Sequence, residues 1–96
     1  MKKIDIKNNE FWYEGKTPPN PLGMGNKKHI RFYPQDKDSY DINVTNPKGV
    51  TTKFTASKEY TRYEVEKMDG TDDEYTFTLV TPGPSEGSPQ MIVQVS

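Results

Sequence analysis

The chain predicts an all-β fold: a small antiparallel β-sandwich, immunoglobulin-like, with about seven strands. Three observations carry this reading. Apolar helix formers are nearly absent, with one Ala and two Leu in 96 residues. Thr, Val and Ile number 21 and, with 11 aromatics, make up a third of the chain. Apolar positions recur every second residue in short segments, with turn signals between them at roughly 8–12-residue intervals. A five-stranded barrel with an irregular N-terminal hairpin is the alternative on the same pattern.

Residues 2–7 alternate around Ile4 and Ile6 and make a first strand. Asn8-Asn9 is a turn signal, and residues 11–14 restart as strand. Residues 15–26 read as a long loop, because "TPPNP" is too proline-rich for a ladder or a helix interior. Residues 28–33 alternate again, with Ile30 and Phe32 on one face and Arg31 and Tyr33 on the other. Tyr40, Ile42 and Val44 point inward from the next strand. "NPKG" then turns the chain back into residues 50–55, the strongest hairpin signal present. Residues 57–68 are ambiguous. Ser57 could cap a helix bearing Tyr60, Tyr63 and Lys67, but Thr61, Tyr63, Val65 and Lys67 alternate, and Thr and Val favour the strand. Residues 74–81 form a strand with Tyr75, Phe77 and Leu79 inward, "PGPSEGSP" is a surface loop, and residues 91–95 close the domain.

Ninety-six residues suffice for one domain and one core. Leu, Ile, Val and Phe total 17, so the core is thin and leans on aromatic bulk. There is no Cys, which excludes disulfides, thiolate metal sites and a cysteine nucleophile. No apolar run exceeds three residues, as at Met91-Ile92-Val93, and residues 4–7 alternate where a signal peptide would be continuously apolar, so a cytoplasmic protein with no membrane partner is expected. Charge is balanced at −1 in total but not in place: residues 1–49 carry net +3 and residues 50–96 net −4.

The stretch "EFWYEGKTPPNPLGMGNKKHIRFY", residues 10–33, concentrates the candidates. Phe11, Trp12 and Tyr13 cannot all enter one core, since neighbouring strand residues face opposite sides. Either "TPPNP" packs over the outer rings, or those rings join Tyr33, Lys27, Lys28 and Arg31 in a recognition surface. Gly23, Gly25 and the two lysines suggest a phosphate nest, yet the spacing is not that of a P-loop and a strand follows rather than a helix. Lysines beside aromatics also suit single-stranded nucleic acid, but a pI near 5.8 lacks the basic footprint. Asp36, Asp38 and Asp41, and Asp69, Asp72, Asp73 and Glu74, read first as solvated turns, because neither run has EF-hand spacing. His29 is the single histidine and stands in a basic run, with no metal triad or strained nucleophile turn to accompany it.

These observations lead to the expectation of a non-enzymatic protein-binding module without cofactor or metal: an adaptor, inhibitor or assembly component. Its contact residues would be Phe11, Trp12, Tyr13, Lys27, Lys28, Arg31 and Tyr33, with edge strands allowing a homodimer. A binder of a nucleotide or other phosphate-bearing ligand is the first alternative, and a carbohydrate-binding sandwich the second.

Overall fold

The computed structural model describes residues 2–25, 29–68, 73–80 and 88–95. Two sheets pack face to face and no barrel closes. The strands are β1 (Lys2–Lys7), β2 (Glu10–Trp12), β3 (Leu22–Gly23), β4 (His29–Pro34), β5 (Ser39–Thr45), β6 (Thr51–Ser57), β7 (Thr61–Glu64), β8 (Asp73–Leu79) and β9 (Gln90–Val95). One sheet has the order β2-β1-β4-β7 and the other β3-β9-β8-β5-β6. Among the described residues there is no helix that could cross a membrane.

Alternation at a period of two decides what enters the interface between the sheets. Ile4 and Ile6 of β1, Ile30 and Phe32 of β4, Tyr40, Ile42 and Val44 of β5, Tyr75, Phe77 and Leu79 of β8, and Met91, Val93 and Val95 of β9 are all buried. Phe32 stands at the centre of a ring cluster, with centroids 6.2 Å from Phe11, 5.6 Å from Phe54 and 5.3 Å from Phe77. Phe54 of β6 stacks on Tyr63 of β7 at 4.7 Å, joining the two sheets along one side. Such pairs add to the area their rings bury.

The turns follow from their residues. Asn8 and Asn9 both take positive φ, as a two-residue β1–β2 hairpin requires and as Asn tolerates. Glu14 and Gly15 repeat the device between Tyr13 and Lys16, whose backbones exchange hydrogen bonds of 2.7 and 3.0 Å. At "NPKG" the Asn46 carbonyl accepts from the Gly49 N–H, and its side chain accepts from the N–H groups of Lys48 and Val50. Gly49 at φ +84° completes the hairpin between β5 and β6.

Four features depart from the sequence expectation. Among the described residues nine strands stand against an expectation of about seven, and the one that no local pattern announced is the two-residue β3. The 15–26 loop contains β3, which pairs with Val93 and Gln94 and buries Leu22 and Met24. Two pairings, β1 with β4 and β3 with β9, are parallel rather than antiparallel. Between β1 and β4 the chain crosses to the second sheet as β3, and between β3 and β9 it runs through β4–β8, so both connections are long enough for parallel neighbours. Finally, within the 57–68 segment Ser57 ends β6 and a separate strand covers only Thr61–Glu64. Beyond it Val65 is buried, the Tyr75 hydroxyl donates to the Glu66 carbonyl and accepts from its N–H, and the buried Asp73 carboxylate accepts from the Met68 N–H. The 82–87 part of "PGPSEGSP" lies outside the described residues.

Candidate functional site

The sheet β2-β1-β4-β7 has one face in the core, so its other face presents the residues between the buried ones. The register orders them in rows. Trp12 lies opposite Asp5, and Asp5 opposite Tyr33. One step beyond the Phe32–Thr61 pair, the chain places Tyr60 beside Tyr33, with ring centroids 5.3 Å apart and planes tilted by 36°. The next row is Lys3, Arg31 and Arg62, each directly opposite its neighbour. The row after that pairs His29 with Glu64, and their side chains meet at 3.1 Å. An aromatic row and a cationic row therefore run side by side across the strands.

Arg31 links the two rows. Its guanidinium carbon is 4.5 Å from the Tyr60 ring centroid, within cation–π range. Hydrogen bonding to Tyr33 raises its pKa above the ordinary value. Lys3 Nζ lies 5.9 Å from the Tyr33 ring. Trp12 lies over the β1–β2 hairpin, where its indole N–H donates to the Lys7 carbonyl at 3.2 Å. Two open depressions adjoin at Asp5. One of about 200 Å³ is lined by Lys7, Trp12, Gly15 and Gln35, and one of about 300 Å³ by Lys3, Tyr13 and Glu14.

The three consecutive aromatics divide as the pleat demands. Phe11 is 4% exposed and belongs to the core, so its expected place on the contact surface is corrected: it faces inward beside Phe32. Tyr13 shares that side. It packs partly against the core, and its hydroxyl accepts from Lys2 Nζ at 3.1 Å. Trp12 is the ring that turns to the outer face. "TPPNP" remains largely exposed, with only Pro18 partly covered. Trp12, Arg31 and Tyr33 are thus brought onto one face, whereas Lys27 and Lys28 lie outside the described residues. Lys3, Tyr60 and Arg62 join them without having been singled out. Alternation already put Arg62 outward, but the neighbourhood of Tyr60 and Tyr33 depends on the pairing of β4 with β7, which no local pattern encodes.

Asp36, Asp41 and Asp73 of the acidic runs are engaged within the protein. Asp36 accepts hydrogen bonds from the Tyr40 hydroxyl and from the Asn8 N–H, which lower its pKa below the usual carboxylate value. Asp41 accepts from Thr55 Oγ1 at 2.9 Å and lies 3.6 Å from Lys53 Nζ. Asp69 and Asp72 lie outside the described residues. Comparison with family models, with curated proteins and with solved structures finds no match to this chain.

Proposed function

We propose that this chain is a non-enzymatic protein-binding module that engages its partner through the outer face of the β2-β1-β4-β7 sheet, with Trp12, Arg31, Tyr33 and Tyr60 as anchors. The observation that carries the reading is the Arg31–Tyr33–Tyr60 cluster, three contacting side chains of the kind that concentrate interface energy, held on a face that the core does not use. Rings and guanidinium are already positioned by mutual contact, so less side-chain freedom is lost on binding.

The test is affinity capture from the native source with the wild-type chain and with Arg31→Ala, Tyr33→Ala and Tyr60→Ala, each first checked for an unchanged circular dichroism spectrum. A specific partner should be retained by the wild type and lost from the folded variants. Equal recovery on all four would overturn the proposal. Trp12 fluorescence separates the competing ligand classes. A phosphate-bearing ligand should quench it in a salt-sensitive way and raise the melting temperature, while a sugar should quench it with little response to salt.

A further inference from the structure

We infer that the row Lys3, Arg31 and Arg62 is built to receive an acidic segment of a partner protein, lying extended across the strands with its carboxylates on the cations. The inference rests on the protein-binding reading above and adds the chemistry of the partner. Like charges directly opposite on neighbouring strands destabilise a sheet, yet here three cations occupy consecutive opposed positions on β1, β4 and β7. Among the described residues neither Lys3 nor Arg31 has a carboxylate partner. Arg62 reaches Glu64 only at 4.0 Å, and that carboxylate lies closer to His29. Asp5, the acid on the adjacent row, accepts instead from Gln35 Nε2 at 3.3 Å. Arg31 Nε is buried without a hydrogen-bond partner, while the guanidinium lies over the Tyr60 ring, its carbon 4.5 Å from the centroid. A guanidinium whose plane is fixed before binding suits the bidentate geometry of a carboxylate.

The spacing favours a chain over a small anion. Neighbouring strands lie about 4.8 Å apart, so the three cations span roughly 10 Å. Same-face side chains of an extended segment recur about every 6.8 Å, so acids at alternate positions can each lie between two cations. One phosphate would meet only part of the row. The aromatic row alongside supplies apolar contact for the same segment. The net charge of −1 speaks against a nucleic-acid strand as the occupant.

The test uses the full chain and a short peptide of alternating glutamate and threonine, followed by calorimetry and amide NMR. Binding should perturb the β1, β4 and β7 amides and weaken with salt. It should fall roughly tenfold on Arg31→Gln, the loss of a charge-assisted hydrogen bond. Lys3→Gln and Arg62→Gln should also weaken it, while holding or raising the melting temperature at low salt because the row's repulsion is relieved. The inference is overturned if the glutamate peptide does not bind, if its lysine counterpart binds as well, or if inorganic phosphate or a single-stranded oligonucleotide binds more tightly at the same amides. It is also overturned if the chain's own copies fill the row at low salt, or if neutralising Lys3 and Arg62 lowers stability. Should the peptide fail while Tyr33→Ala and Tyr60→Ala still abolish capture, the acidic partner is wrong and the protein-binding reading stands. Should capture also be insensitive to those variants, both fall.

Discussion

Adjacent aromatics in this chain differ in role because one residue's step along a strand reverses its direction. Phe11 is buried against Phe32, whereas its neighbour Trp12 is only partly covered, and Tyr60, elsewhere on the outer face, is 44% exposed. Phe11→Ala should therefore cost about 3–5 kcal/mol in urea unfolding, from lost transfer energy and the cavity left behind. Tyr60→Ala should cost less than about 1 kcal/mol and act on binding. A second residue-scale prediction concerns Asp36 and Tyr40. Tyr40 comes from β5 in one sheet, while Asn8 belongs to the hairpin of the other, and Asp36 accepts from both. The pKa of Asp36 is lowered by the Tyr40 hydroxyl first and the Asn8 N–H second. Its contribution is thus fully present above the unfolded carboxyl pKa of about 3.9 and disappears as pH falls through the lower folded value. The Tyr40 pKa is raised by burial and then by Asp36, so its contribution is present below the unfolded phenol pKa and disappears as pH rises through the folded one. Asp36→Asn should flatten the acid limb of a stability-against-pH curve. Tyr40→Phe should remove the alkaline contribution and lower stability at neutral pH by about 1–2 kcal/mol.

At the scale of elements, the hairpins and the alternating strands were legible in the sequence because their causes are local. Asn8-Asn9 announces a turn, and Ile30 and Phe32 announce a buried face whatever they pack against. The positive φ values at Asn8 and Asn9 give that turn a specific vulnerability. Asn8→Val should destabilise the domain by about 1–2 kcal/mol, measured by thermal unfolding, while Asn9→Gly should be neutral or stabilising. β3 was not legible, since a two-residue strand between prolines and glycines leaves no periodicity to read. It exists because β9, far along the chain, offers Val93 and Gln94 as partners and the core accepts Leu22 and Met24. The site shows the same division. Arg31, Tyr33 and Trp12 were readable as outward residues on strands, but their association with Lys3, Tyr60 and Arg62 follows from the lateral order β2-β1-β4-β7, a property of tertiary pairing alone.

For the whole molecule, the order of strands makes the C-terminal strand indispensable. β9 lies between β3 and β8, and it delivers Met91, Val93 and Val95 to the interior. Deleting residues 90–96 would strip β3 of its ladder with β9 and open the core along β8. The expected result is an unfolded chain with collapsed amide NMR dispersion, and a truncated chain that stayed folded would contradict this topology. The alternation of β4 has a different implication. Ile30 and Phe32 anchor the strand from below, while Arg31 and Tyr33 stand above it and add nothing to the interior. Selection can thus rewrite the upper side chains, one by one or together, without disturbing the packing underneath. If that face binds as proposed, a lineage built on this scaffold could exchange partners while its architecture stayed the same, and specificity and foldedness would drift under separate pressures.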